Sequence, residues 1–326
     1  MKICVYGAGA VGSHFAARLS SIGEKVCVVA RGAHLGAVRE HGITVRSGEE
    51  TLSERVDASD SGRDHGVQDL VIVTLKAPSL PHIVDDIKHL LSPTTPIIFA
   101  MNGILWWYFY GLDPRGEERQ LDRLDPGGRW WREIGPERVI GGVVYSSNEI
   151  VEPGVVEHRS PGRNQLRIAE PNGEPSERAE RVNEVLTRAD MAVETHDIRA
   201  TIWEKLLANM AYGPIACLTG STITDIVGNS QLRALAETLM NEAIAIAASV
   251  GVDLGIDAKT RIAGTKASGH KVSLLQDLER GRAMEIDAIT TVPHELGRAA
   301  GVPTPALDNV LALLKQRARL AGTYDG

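Results

Sequence analysis

MKICVYGAGAVG, residues Met1–Gly12, carries the reading on which the rest of the chain depends. A short apolar run, Ile3, Cys4 and Val5, leads into G-x-G-x-x-G at Gly7, Gly9 and Gly12, and an Ala- and Leu-bearing helical pattern follows at once over His14–Ile22. This is the strand–turn–helix grammar of a dinucleotide-binding fold. Gly7 permits the tight turn, Gly9 lets the backbone come close to a pyrophosphate, and Gly12 lets the helix pack closely on the strand. The backbone through Ala8, Ala10 and Val11 then offers free N–H groups and the positive end of a helix dipole to the phosphates. Glycine-rich turns are common, and the competing reading is such a turn with no ligand. The position between an N-terminal strand and a helix is what gives the motif weight.

The chain of 326 residues is long enough for two domains, each with its own core. Apolar residues at 43% and charged residues at 24% are an ordinary globular balance. A formal charge of -7 argues against nucleic acid or an anionic membrane surface as a general partner. No apolar run approaches the roughly 18 residues of a membrane span, and the N-terminus lacks a signal-peptide layout. Three scattered cysteines, Cys4, Cys27 and Cys217, fit neither a disulfide frame nor a metal motif. Cys4 and Cys27 fall inside predicted strands, where a buried thiol acts as a small hydrophobe. A cytoplasmic protein is expected.

Lys25–Ala30 reads as the second strand. An acid at its end would accept hydrogen bonds from a ribose 2′-OH, but that place holds Arg31, which suits a 2′-phosphate and favours NADP over NAD. The bland alternative is a solvated loop Arg. Ile43–Arg46 and Glu54–Ala58 look like short strands of a hairpin-like excursion. The run Leu70–Leu75, apolar but for Thr74, reads as a strand buried on both faces. It ends in Lys76, with Pro78 blocking immediate helix entry. Lys76 therefore stands where ligands bind in open α/β sheets, or merely caps a strand end. Pro96–Ala100 is the next buried strand and runs to Asn102 and Gly103, a polar strand end or an ordinary Asn-Gly turn.

Between Leu105 and Gly135 lie Trp106, Trp107, Trp130 and Trp131, bracketing the charged, Gly- and Pro-punctuated stretch Gly111–Gly128. Such a segment could serve as a lid, a pocket wall or a subunit contact, or as a satellite hydrophobic cluster under a long loop. Val139–Tyr145, Val155–His158 and Leu166–Ile168 read as the antiparallel finish of the domain, with a turn at Pro153 and Gly154. Asn172–Asp190 suggests an amphipathic helix and Met191–Thr195 a last strand. Helical periodicity then takes over in Arg199–Tyr212, Gln231–Val250, Lys271–Arg280, Ile286–Ala300 and Ala306–Ala318. The expected organisation is an α/β Rossmann-type dinucleotide-binding domain over 1–197 and an all-helical domain over 198–326. Thr201, Lys205 and Asn209 form one polar stripe at i, i+4 and i+8, which faces solvent or a ligand cleft.

Taken together these residues resemble the ketopantoate reductase family, the NADP-dependent 2-dehydropantoate 2-reductases. The resemblance runs over nearly the whole chain, through GAGAVG at 7–12, the Arg31 strand end, TLK at 74–76 and NG at 102–103. It continues through WEKLLANMAYGPIACLTG at 203–220, SLLQDLERGRAMEID at 273–287 and GVPTP at 301–305. It implies NADPH-dependent reduction of ketopantoate to pantoate. Lys205 would be the general acid, and Glu285 would hold substrate and orient Lys205. Asn102, Asn209 and Ser273 would hydrogen-bond the substrate. Gly7, Ala8, Gly9, Ala10, Val11, Gly12, Arg31, Lys76 and Asn102 would bind the cofactor, with no metal. The partner is a small 2-oxo acid, and the helical half permits a homodimer.

Three departures lie toward the substrate end. The family's usual second Asn, four residues beyond Asn209, is Gly213 here. The small-residue stretch after the Glu-Ile-Asp motif is replaced by Thr290, Thr291, Val292, Pro293 and His294. Pro293 is expected to kink its helix, and His294 adds a polar group that is either an extra acid–base residue or an ordinary surface one. The Trp-rich segment is longer than a compact member needs. Two alternatives follow: reduction of a bulkier 2-oxo acid recognised partly by Trp106 or Trp107, and a non-catalytic dinucleotide sensor.

Overall fold

The computed structural model describes residues 1–112, 119–160, 162–195, 197–265, 269 and 271–326. The chain divides into two compact units. The first comprises Met1–Met101 with Trp106–Ile198, and the second comprises Asn102–Leu105 with Arg199–Gly326.

In the first unit the chain runs β1 (Lys2–Tyr6), α1 (Ala10–Ser21), β2 (Lys25–Val29), α2 (Gly32–His41), β3 (Ile43–Ser47), β4 (Glu50–Glu54), β5 (Asp57–Ser59), β6 (Leu70–Val73), α3 (Val84–Ile87) and β7 (Ile97–Phe99). It continues through β8 (Val139–Tyr145), β9 (Asn148–Glu152), β10 (Val155–His158), β11 (Gln165–Ala169), α4 (Glu177–Arg188) and β12 (Ala192–Glu194). The main sheet has the order β12-β11-β8-β7-β6-β1-β2-β5. The run from β5 to β8 is parallel, β11 is antiparallel to β8, and β12 is parallel to β11. The chain leaves β1 toward β2 and β5, then returns to lay β6 on the other side of β1. That reversal puts a topological switch point beside the Gly7–Gly12 turn, where such sheets bind ligands. β6 and β7 are buried at every position, as expected of strands covered on both faces.

The excursion after α2 differs from the sequence reading. Glu54–Ala58 is not one strand. β4 pairs antiparallel with β3 around Gly48, and β5 leaves to join β2 in the main sheet. Val155–His158 does not finish the main sheet either. β10 forms a hairpin with β9 and lies parallel to β3, giving a second sheet of order β4-β3-β10-β9. This sheet packs on α1, which also contacts β1 and β2, so α1 is covered from two sides. Its buried set, which includes Phe15, Ala16, Ala17 and Leu19, runs nearly round the helix.

Cys4 and Cys27 are both buried, as expected of thiols within strands. Cys27 lies between Cys4 of β1 and Asp57 of β5 in register, and hydrogen bonds from Cys4 and then His65 lower its thiol below the usual range.

The Trp-rich segment forms a hydrophobic cluster. Trp106, Trp107 and Trp130 are buried in the first unit. Trp106 stacks on Trp130 at 5.8 Å between ring centroids, and Phe99 of β7 meets both edge-on. Trp130 Nε1 donates to Leu80 O at 3.0 Å, and the Asp125 carboxylate accepts from the Trp130 and Trp131 backbone N–H groups at 3.0 Å each. Offset and edge-on aromatic pairs add about 0.5–1.5 kcal/mol each beyond their burial, so these contacts hold Trp106 and Trp130 against Phe99 of the sheet. The expectation that Trp106 or Trp107 walls a substrate pocket is therefore corrected: their rings are spent in the core. Residues 113–118 of the Gly111–Gly128 stretch lie outside the described residues.

The second unit carries α5 (Ile198–Thr219, whose first residue belongs to the first unit), α6 (Ile223–Gly228), α7 (Ser230–Ser249), α8 (Ala258–Ala263), α9 (Ser273–Glu279), α10 (Val292–Ala299) and α11 (Pro305–Leu320). Periodicity ends α5 at Tyr212, but the helix continues through Pro214. Ile215, Ala216 and Cys217 beyond it are buried, and their burial offsets the roughly 3 kcal/mol of an interior proline. Ile286–Ala300 is also not one α-helix. A π-turn spans Asp287–Thr291, and α10 starts with Pro293 in its first turn, where a missing N–H is tolerated. The backbone stays helical from Ile286 into α10, so Pro293 lies within one helical run, and the π-turn just before it is the distortion that the proline was expected to bring. The Glu242 carboxylate of α7 caps α11 by accepting from Ala306 N at 2.9 Å and Leu307 N at 2.8 Å.

One buried pair ties the first unit's stability to pH. His14 of α1 is fully buried and its ring lies 4.5 Å from that of His158 on β10. Burial, then the nearby His158 and Arg18, pushes the His14 imidazole down to about 3. In the unfolded chain it titrates near 6.5. The unfolded state therefore binds the extra proton first as pH falls, and stability present above about pH 6.5 is lost between there and about pH 3. Urea unfolding of wild type and His14→Leu from pH 7.5 to 4.5 should show wild type losing up to about 1.4 kcal/mol per pH unit more than the variant. Parallel pH curves would contradict this.

Candidate active site

The cofactor-type residues gather at the switch point of the first unit. β1 ends at Tyr6, and Gly7 enters the turn at φ +106°. The Gly7 and Ala8 N–H groups donate to Val29 O at 3.0 and 2.8 Å, tying the turn to the end of β2. Gly12 sits where a Cβ would stand 2.3 Å from Gly7 O and 2.4 Å from Thr74 Oγ1, so only glycine lets α1 come this close. Thr74 Oγ1 itself donates to Gly7 O at 2.6 Å. Gly9 is different: a Cβ there would meet only Gly7 O, at 4.0 Å. Its openness leaves space for a ligand against the backbone. Gly9 is also the N-cap of α1 and supplies no side-chain cap, so the first-turn N–H groups of Ala10, Val11 and Gly12 have no cap from it and no intrahelical acceptor. An uncapped helix start beside an open glycine fits a pyrophosphate.

Arg31 is exposed, two residues beyond β2, and forms the N-cap of α2 without a side-chain cap bond. Lys76 is half-buried two residues past the Thr74 that holds the turn. Pro78 does keep an α-helix from starting at once: a 3-10 turn over Ala77–His82 comes first, with the proline in its first positions, and α3 begins at Val84. Thr74 is the residue that sequence reasoning passed over. Its signal was a hydroxyl at the carboxyl end of the strand that flanks the switch point.

The second unit holds the remaining candidates. α5 places Lys205, Asn209 and Gly213 at successive i+4 steps on one face; Lys205 and Asn209 are half-buried. Asn209 and Gly213 line a small depression with Val272, Ser273, Leu274 and Ile289. Ser273 is the first residue of α9. Ile289 is supplied by the π-turn. Asn102 belongs to the second unit, and its Nδ2 donates to Glu285 Oε2 at 3.2 Å across 183 residues of chain. Gly103 follows at φ +86°, where a Cβ would lie 2.4 Å from Ala288 O. Ile104 N donates to that same carbonyl at 2.8 Å. The Asn-Gly pair is thus a close-approach element that docks Asn102 onto the segment of Glu285.

His294 lies elsewhere. Its Nε2 pairs with the Asp308 carboxylate of α11, and Thr304 Oγ1 donates to the same oxygen at 3.1 Å. That contact with α11 engages the Nε2 of its imidazole.

Among the described residues no group of His, Cys, Asp and Glu is arranged to hold a metal ion, and no helix is long and apolar enough to cross a membrane. Chemically, the second unit offers an ammonium, a carboxylate, two amides and a hydroxyl, a set suited to a small polar acid. The first offers an anion cradle.

Comparison with known proteins gives this arrangement a context. Residues 3–171 match the family model described as ketopantoate reductase PanE/ApbA, and residues 197–318 match its C-terminal counterpart. A 2-dehydropantoate 2-reductase of Mesorhizobium japonicum is 44% identical over 99% of this chain and 100% of its own. One of Pyrococcus horikoshii is 28% identical over 99% of each. The crystal structure of a Geobacter metallireducens 2-dehydropantoate 2-reductase superposes with a TM-score of 0.84 at 26% identity, covering 97% of this chain and 99% of that one.

Proposed function

Because the chain belongs to the ketopantoate reductase family, a family of NAD(P)-dependent oxidoreductases, we propose that it reduces 2-dehydropantoate to pantoate with NADPH, Lys205 being the general acid. The reading is supported by two arrangements within one unit: the Lys205–Asn209 face of α5 with Ser273 in the same depression as Asn209, and Asn102 hydrogen-bonded to Glu285.

Bound NADPH supplies a hydride to the substrate's C2. The Lys205 ammonium stabilises the negative charge that develops on the carbonyl oxygen and delivers the proton that completes the alcohol. Glu285 holds the substrate's hydroxyl and, with Asn102 fixed against it, sets the direction from which the acid is presented. Asn209 and Ser273 hydrogen-bond the remaining polar groups of the acid. In the first unit the open backbone at Gly9 and the uncapped start of α1 hold the pyrophosphate, and Lys76 adds positive charge. Arg31 pairs with the 2′-phosphate, a contact that an Asp or Glu at that place would repel.

Two substitutions test the proposal. Lys205→Ala should keep NADPH binding, read by cofactor fluorescence, while kcat falls by about 10²–10⁴. A near-wild-type kcat would remove Lys205 from the chemistry. Arg31→Ala should weaken NADPH by about tenfold or more, the loss of a charge-assisted contact of about 1.5–3 kcal/mol, and leave NADH nearly unchanged. Equal losses for both cofactors would end the 2′-phosphate assignment.

A further inference from the structure

Glu285 stands where regular structure does not hold it. α9 ends at Glu279, residues 282–285 belong to no helix or strand, and helical backbone resumes only at Ile286. Gly281, at φ +60°, and the exposed Arg282 and Ala283 lead into this stretch. Downstream, Glu285 O accepts from Ile289 N at 3.1 Å. A carboxylate that must face a substrate from such a segment depends on what grips the chain on either side of it.

Two residues just past α11 supply that grip. Thr323 and Tyr324 are buried, while Ala321 and Gly322 before them and Asp325 and Gly326 after them are exposed. Thr323 N donates to Ala318 O at 3.0 Å, which fastens the pair to α11, and Thr323 O accepts from Met284 N at 3.0 Å. Tyr324 OH donates to Asp287 Oδ1 at 2.7 Å, a short bond of the charge-assisted kind. The Arg319 guanidinium lies 5.7 Å from the centroid of the Tyr324 ring and Lys315 Nζ lies 5.9 Å from it, so the ring is held along α11. Met284 and Asp287, on either side of Glu285 and Ile286, are thus both fastened to two consecutive residues. Asn102 binds the Glu285 carboxylate itself. Burial of an aromatic ring would be served equally by phenylalanine. The hydroxyl is what reaches Asp287, at the start of the π-turn.

We propose that Tyr324 is a positioning residue for the reaction: through Asp287 it fixes the segment on which Glu285 stands, and so sets the carboxylate that holds the substrate. The proposal rests on the reading that Glu285 binds the substrate. Misplacing a substrate-holding group by about 1 Å can cost up to about 10²-fold in rate, so a tie two residues away from Glu285 has a kinetic effect that its distance from the chemistry would not suggest.

The test is NADPH-dependent reduction of ketopantoate by wild type, Tyr324→Phe, Glu285→Ala and the double variant, with NADPH binding by cofactor fluorescence and a thermal melt of each. Phenylalanine keeps the ring beside Arg319 and Lys315 and removes only the hydroxyl. Tyr324→Phe should raise KM for ketopantoate and lose about tenfold in kcat/KM, as expected for one hydrogen bond to a charged group, with NADPH binding within about twofold of wild type. In the Glu285→Ala background the same substitution should change kcat/KM by less than about twofold, because the carboxylate that it positions is gone. Equal losses with and without Glu285 would show a general structural role and overturn the proposal, and so would wild-type kcat/KM in Tyr324→Phe. If Glu285→Ala turns over too slowly to compare, Asp287→Asn decides. Its amide oxygen still accepts from Tyr324, so it should keep most of the activity that Asp287→Ala loses, and equal losses in those two variants would overturn the proposal. Wild-type kcat/KM in Glu285→Ala, or no reduction of ketopantoate by the wild type, would contradict the parent reading instead.

Discussion

The close approach of α1 to the turn before it is the constraint on which the first unit is built. At Gly12 the helix backbone comes so near Gly7 O and Thr74 Oγ1 that no side chain fits between them. That contact joins three things at once: the end of β1, the first turn of α1 and the end of β6. The Thr74 hydroxyl locks the same carbonyl, and Val29 O holds the N–H groups of Gly7 and Ala8. With these donors and acceptors satisfied inside the protein, the open Gly9 and the uncapped N–H groups of α1 are what the turn offers outward. Burial of α1 by a second sheet on its far side keeps the helix from backing away.

A comparable constraint organises the second unit. The π-turn over Asp287–Thr291 lets Ala288 O accept from Ile104 N, and Gly103 makes the approach possible. A four-residue segment far away in sequence is thereby fastened to the chain just after Glu285, and Asn102 meets its carboxylate. The same turn supplies Ile289 to the depression that Asn209 and Ser273 share. A departure from α-helical geometry beside Pro293 therefore serves two purposes: it positions polar residues and it contributes an apolar wall.

Much of the fold was legible because its signals are local. The glycine spacing, the apolar run Leu70–Val73 and the loss of strand patterns beyond residue 197 each reflect one element's own requirements. Pairing was less legible. Nothing in Val155–His158 says that it lies beside β3 instead of β8, because alternation specifies a face and not a neighbour. Pro214 and Pro293 both lie within helical runs. The first sits inside a helix held by buried residues beyond it, and the second stands just after a π-turn that interrupts the α-helical register. The tryptophans carried no sign of whether they face a ligand or Phe99, since a core and a pocket use the same residue type. Of the candidate site, the residue types and the i+4 spacing on α5 could be read directly. The bond between Asn102 and Glu285 and the part played by Thr74 depend on chain reversals that no window of sequence contains.

The account stands on hydride delivery to C2 of a 2-oxo acid. NADPH deuterated at the transferred C4 position, incubated with ketopantoate and the wild-type protein, tests it most directly by mass spectrometry of the product. The account predicts pantoate carrying one deuterium at C2. Pantoate without the label, or oxidation of the cofactor with no pantoate formed, would contradict it.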